Sequence, residues 1–139
     1  RSGIITINDD ADNTNDNRKN GLRLFREGSA TAQRIKLNVG TGTGESWNDG
    51  AEITVANNAW VHVAVTVSPT QSKIYFNGVM QRAATYTSPF DFSTSSSLVI
   101  GSGAPSFTYW GHKADSSLID ELRVYDKALS ETEVKNTMK

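Results

Sequence analysis

Cysteine is absent from all 139 residues, which excludes a disulfide framework, a thiol nucleophile and a zinc–thiolate site, though not secretion, because a core of this size needs no staples. An excess of either charge is also missing. Fourteen Lys plus Arg stand against fifteen Asp plus Glu, for a net charge of -1, and no basic run follows a phosphate backbone. Nucleic acid is therefore not an expected partner. No apolar run approaches the roughly 20 residues that a membrane-spanning helix needs, and no signal-peptide pattern opens the chain, so the sequence reads as soluble without membrane insertion. The only histidines are His62 and His112, and proline occurs three times. The length suits one domain, residues 1–139, with one sizeable core.

What the chain does have is alternation. Strand-like runs are expected at Gly3 to Ile7, Leu22 to Arg26, Arg34 to Val39, Glu52 to Val55, Val61 to Val67, Lys73 to Phe76, Val79 to Ala83, Leu98 to Ile100 and Leu118 to Tyr125. Each alternates apolar and polar residues or carries β-branched and aromatic side chains between turn signals. Asn77-Gly78 between two such runs is a hairpin signal, since both residues tolerate positive φ. The connections Asn8 to Asn20, Gly40 to Gly50, Tyr86 to Ser97 and Ser102 to Asp115 have loop composition. A helix is expected only at the C-terminus, where Ser130 and Glu133 form a capping box and Val134 and Met138 share a face. The fold class is all-β, an antiparallel two-sheet sandwich closed by a short helix, in which function belongs to the loops.

Four blocks carry a resemblance to a known family. They are Trp60 to Thr66 with His62-Val63-Ala64, Ile74-Tyr75-Phe76-Asn77-Gly78, Leu98-Val99-Ile100-Gly101, and Ile119-Asp120-Glu121-Leu122-Arg123-Val124-Tyr125 followed by Asp126-Lys127-Ala128-Leu129-Ser130 and Glu133-Val134. Their order and spacing over about the last 80 residues resemble the laminin-G-like domains of the concanavalin-A-like jelly rolls. The resemblance implies a jelly-roll sandwich and a packing role for Trp60, with His62 as a half-exposed neighbour. Family members usually open with a further strand beside the one ending Val124-Tyr125, so the chain reads as a fragment, or as a domain whose first strand comes from elsewhere.

The superfamily includes glucan hydrolases, which present two carboxylates about 5 Å apart on one strand face. Asp120 and Glu121 are adjacent and point to opposite faces, while Glu131 and Glu133 sit at the helix start. No Gly-x-Ser-x-Gly elbow or metal-protease His pair is present either, so no enzymatic activity is expected. A cation site is a separate expectation. Asp10, Asp12, Thr14 and Asp16 fall at positions 1, 3, 5 and 7 of a calcium-loop template. The sixth position is Asn15 and the twelfth Gly21, where the template wants Gly and Glu. The alternative is a solvated loop whose Asp and Asn side chains bond their own backbone. The resemblance adds that related jelly rolls hold Ca2+ near the sheet rim, and that Asp120 either supplies a ligand or ties down a neighbouring loop.

Sugar recognition needs an aromatic face to stack on a pyranose and amides or carboxylates to bond its hydroxyls. Trp47, Asn48 and Asp49 lie together in a glycine-bounded stretch, and Tyr109, Trp110 and His112 crowd the segment before the last strand beside Phe107. Tyr86, Phe90 and Phe92 form a third cluster. The competing reading has these rings cover the ends of the sandwich. The expectation that follows is a noncatalytic carbohydrate-binding module of an extracellular or cell-surface protein, with a glycan as partner and calcium as an aid. The alternative is a structural or adhesive domain whose partners are neighbouring protein domains.

Overall fold

The computed structural model describes residues 1–9, 11, 18–29, 31–104 and 111–138. Ten strands and one helix are described: β1 (Ser2–Asn8), β2 (Leu22–Gly28), β3 (Gln33–Gly40), β4 (Glu45–Asn48), β5 (Glu52–Ile53), β6 (Val63–Val67), β7 (Gln71–Phe76), β8 (Val79–Thr85), β9 (Ser97–Ile100), β10 (Lys113–Ala114) and α1 (Glu131–Asn136). Seven strands form one sheet through β10-β1-β2-β3-β4, with β5 also on β3 and β9 also on β1. β6, β7 and β8 form the second sheet. All pairings are antiparallel except the two-residue contact of β10 with β1. This is the expected two-sheet jelly-roll sandwich with its C-terminal helix.

The period of two sorts the side chains. Leu22 and Leu24 of β2 stand opposite Val39 and Leu37 of β3. With Ile35 and Ile53 they meet Ile74 of the second sheet in one buried cluster, against which Val63, Val65, Val67 and Phe76 pack. Burying each such side chain contributes about 1.5–3 kcal/mol. Phe90 and Phe92 also pack on this cluster, with ring centroids 5.2 Å apart; they cover the core rather than line a groove. The Asn77-Gly78 hairpin forms as read, with φ of 49° and 73° between β7 and β8. The capping box forms too, Ser130 accepting from Glu133 N while Glu133 reaches back to Ser130 N.

Three expectations are corrected. Glu45–Asn48 is a strand, not loop, because Thr41 N donates to Gly44 O at 2.9 Å and closes a tight glycine turn directly after β3. Trp60, expected in the core, is 68% exposed; the β6 ladder starts only at Val63, so the period of two does not reach back to it. The segment Leu118 to Tyr125, expected as a strand, has extended-strand composition but among the described residues belongs to no ladder, since an alternating run becomes a strand only where a neighbour takes its backbone groups.

Candidate functional site

The face of the large sheet turned away from the core carries the polar residues. Thr6 of β1 is opposite Arg23 of β2, Arg23 opposite Asn38 of β3, and Asn38 opposite Trp47 of β4. A parallel row sets Gly3 opposite Phe25 and Phe25 opposite Lys36. Most of this face is covered: Thr6, Asn8, Arg23, Phe25 and Asn38 are all buried. The segment after β9 does part of the covering. Thr6 Oγ1 donates to Ser102 O at 3.1 Å, and a Cβ on Gly3 would lie 2.4 Å from Gly103 N. Only glycine at position 3 lets that backbone sit directly on β1. His112, also buried, sets its ring edge-on to Phe25 with centroids 4.6 Å apart.

A buried guanidinium organises one half of the face. Arg23 Nη1 donates to Asn38 Oδ1 at 3.0 Å and to Arg18 O at 3.3 Å, and Nη2 donates to Asn8 Oδ1 and Asn20 O. Asn38 Nδ2 passes the chain on to Glu45 Oε2 at 2.8 Å, which also receives Arg18 Nε at 2.7 Å. Each hydrogen bond to the guanidinium offsets the cost of burying its charge, several kcal/mol if left unmatched. Among the described residues the amide nitrogen of Asn8 is a buried donor with no hydrogen-bond acceptor.

Trp47 anchors the other half. Its half-buried ring meets Phe25 edge-on at 6.0 Å, and Lys36 Nζ lies 5.6 Å from its centroid. Lys36 is itself held by Asp49 at 2.7 Å and Glu27 at 3.1 Å. Partial burial works against the Lys36 charge, but the hydrogen bonds it donates to Asp49 and Glu27 outweigh it and keep the ammonium pKa above its ordinary value. The same bond from Lys36 holds Asp49 below the usual carboxylate range. The result is an aromatic ring flanked by an ammonium, a carboxylate and, along its row, the Asn38 amide. Chemically it offers a stacking face beside fixed donors and acceptors.

Of the residues expected to bind sugar, Trp47 and His112 are brought together through Phe25, which contacts both rings, and Asp49 stands beside them through Lys36. Asn48 is corrected: it faces the core, buried, and its Nδ2 donates to Ser72 O and Arg82 O, both at 3.2 Å, tying β4 to β7 and β8. Alternation forces this, because Trp47 and Asn48 are consecutive on one strand. Tyr109 and Trp110, like Phe107, lie outside the described residues. So do Asp10, Asp12, Thr14 and Asp16. Asp120 is exposed, and its Oδ1 accepts from Glu121 N at 2.8 Å, a bond to its own neighbour rather than to a separate loop. Among the described residues no group of three or more His, Asp or Glu side chains is placed to hold a metal ion.

Phe25, Arg23, Asn38, Lys36 and Glu45 were missed by reading the loops for function. Their signal was present: Arg23 and Phe25 interleave with Leu22 and Leu24, and Asn38 with Leu37 and Val39. Polar residues interleaved with a core stripe define a second face. The strand register that aligns them into one row is not a local property of the sequence.

A model of the laminin G type in the concanavalin A-like lectin/glucanases superfamily matches residues 3–135. No curated protein matches the chain in sequence. Among solved structures, the CBM40 domain of the Ruminococcus gnavus IT-sialidase, bound to alpha2,3 sialyllactose, superposes with a TM-score of 0.67 at 14% identity, covering 99% of this chain and 73% of that one. A domain of an S-layer domain-containing protein from Clostridium thermocellum gives a TM-score of 0.45 at 22% identity, covering 97% of this chain and 62% of that one. At 14% identity the likeness to the CBM40 domain is one of fold.

Proposed function

We propose that this chain, which belongs to the concanavalin A-like lectin/glucanases superfamily, is a noncatalytic carbohydrate-binding module of an extracellular multidomain protein. The sugar is taken on the outer face of the large sheet, with Trp47 as the stacking platform. Asp49 and Lys36 bond hydroxyls at its edge, and His112 fixes the far side through Phe25. Tyr109 and Trp110, which precede His112 by three and two residues, belong to the proposal on the strength of the sequence alone. The observation that carries the reading is the half-buried Trp47 ring held between Phe25 and a doubly paired Lys36. A ring fixed in this way stacks without losing further conformational freedom. The cations of this face are matched by Glu27, Glu45, Asp49 and amide oxygens, an arrangement suited to hydroxyl-rich ligands more than to polyanions. The CBM40 domain with a similar fold was solved with a sialylated sugar bound, which supports a glycan as the partner class. Calcium held by Asp10, Asp12, Thr14 and Asp16 belongs to the proposal on the strength of the sequence template alone, and Asp120 as a further ligand on the family resemblance alone.

The test is a glycan array with folded protein, in calcium and again with chelator, followed by titration of the best glycan. Trp47→Ala is expected to weaken binding at least about tenfold, since an aromatic stacking contact is worth roughly 1 kcal/mol beyond the area it buries. Undiminished affinity in a folded Trp47→Ala variant removes this face from the proposal. Loss of binding on chelation supports the calcium part, and full retention removes it.

A further inference from the structure

Glu45, Trp47 and Asp49 alternate along one stretch of chain that begins in β4, so the period of two sets all three on the outer face of the large sheet. The two carboxylates that flank the ring are each half engaged. Glu45 takes both of its donors on one oxygen, Arg18 Nε at 2.7 Å and Asn38 Nδ2 at 2.8 Å on Oε2. Asp49 takes Lys36 Nζ on Oδ1 at 2.7 Å. Among the described residues nothing donates to Glu45 Oε1 or Asp49 Oδ2, and the two side chains are 25% and 48% exposed. Glu27 is the contrast, with Oε1 held by Lys36 and Oε2 by Arg1. The cations are the more enclosed partners, Arg18 at 18% and Lys36 at 17% exposure, and both are committed to carboxylates. What the stretch offers on either side of Trp47 is therefore a fixed, negatively charged acceptor.

With Trp47 as the platform, on which this reading depends, we infer that the ligand is an uncharged oligosaccharide laid along β4, and that Glu45 and Asp49 set this specificity. Sugar hydroxyls are donors, and a hydrogen bond to an ionised acceptor is roughly twice as strong as one between neutral groups. A sugar bearing a carboxylate or sulfate brings further acceptors and a like charge toward both residues, while Lys36 and Arg18 are already paired. Length follows from the same spacing. Four residues of extended chain separate Glu45 from Asp49, about 13 Å at a rise of about 3.3 Å per residue, with Trp47 midway. A ligand that meets both carboxylates is longer than the single ring stacked on Trp47.

Calorimetric titration of the folded chain with neutral gluco-, galacto-, manno- and xylo-oligosaccharides, and with counterparts of the same linkage that carry a uronic acid, tests this. The best neutral oligosaccharide should bind at least about tenfold more tightly than its acidic counterpart and than its own monosaccharide. Glu45→Gln probes the acceptor without changing its shape. Because Arg18 and Asn38 both donate to one oxygen of Glu45, the amide oxygen keeps that place and the amide NH2 takes the place of Oε1, turning an acceptor into a donor. Asp49→Asn, at a more exposed position, does the same at Oδ2 while its oxygen stays on Lys36. Each variant should weaken the neutral ligand at least about tenfold and narrow its lead over the acidic one. Two failures are separable. If binding depends on Trp47 but acidic sugars bind as tightly as neutral ones, or either amide variant keeps full affinity for the neutral ligand, the specificity assigned here is overturned and the platform stands. If Trp47→Ala leaves affinity unchanged, or no oligosaccharide binds, the platform falls and the specificity with it.

Discussion

The β2–β3 pair and the segment Leu118 to Tyr125 are written in a similar alphabet, Leu, Val and Ile mixed with Arg and Glu, yet they end in opposite environments. In the first, seven consecutive register pairs from Leu22↔Val39 to Gly28↔Gln33 satisfy the backbone. Leu37 and Val39 face the core, and Arg23, Asn38 and Phe25 are buried on the other side. In the second, the backbone joins no ladder among the described residues, and the apolar side chains are exposed. The difference lies in neighbours, not composition. Strand pairing is a relation between segments, and the energy of the alternating pattern is released only when a second strand and a covering layer are present.

The sharpest way to break this contrast is to remove what both layers of β2 depend on. Arg23→Ala leaves the Asn8, Asn20 and Asn38 oxygens buried without their donor. It should destabilise the fold by roughly 3–5 kcal/mol, since each of several buried acceptors left without its donor costs about 1–3 kcal/mol. Chemical denaturation measures this; a loss below about 1 kcal/mol would mean that the network is plastic. At the other extreme, Val124→Ser should change stability by no more than about 0.5 kcal/mol, as exposed positions do. A cost comparable to that of Arg23→Ala would show that Val124 is packed within the monomer, and the contrast would fail.

The same contrast explains what could be read from the chain. The two-sheet architecture was legible because alternation, the Asn77-Gly78 turn and the Ser130 capping box are local and each carries its own mechanism. The sugar face was half legible. Trp47 stood out by type, but the tight turn at Thr41 to Gly44 that makes it a strand residue is written in the same glycines that signal a loop. Its neighbours Phe25, Lys36 and Asn38 are separated from it in sequence and adjoin it only through register. Asn48 looked like a ligand because its amide is polar, whereas the strand turns that amide inward to join the sheets. Trp60 and the Leu118 to Tyr125 segment show the converse, patterns whose meaning depends on a neighbour that the pattern does not contain.

The smallest predicted effect concerns the helix that follows the unpaired segment, where local sequence alone suffices. Glu133 takes a hydrogen bond and ion pair from Lys127 at 2.5 Å, and its Oε2 accepts Ser130 N at 2.7 Å. These contacts, that of Lys127 foremost, hold its carboxyl down at about 2 against an ordinary 4.5. A depressed carboxylate pKa contributes stability above the unfolded value and loses it as pH falls through the folded one. The Ser130 cap should therefore be complete above pH 4.5 and gone only near pH 2. Carboxyl chemical shifts of Glu133 and exchange of the Ser130 amide along an acid titration follow it. Because the group lies at the surface, added salt should move the midpoint upward. A Glu133 midpoint at the ordinary carboxylate value in low salt would mean that the capping box is not formed in solution, and that even the most local of these signals needs a partner layer to become structure.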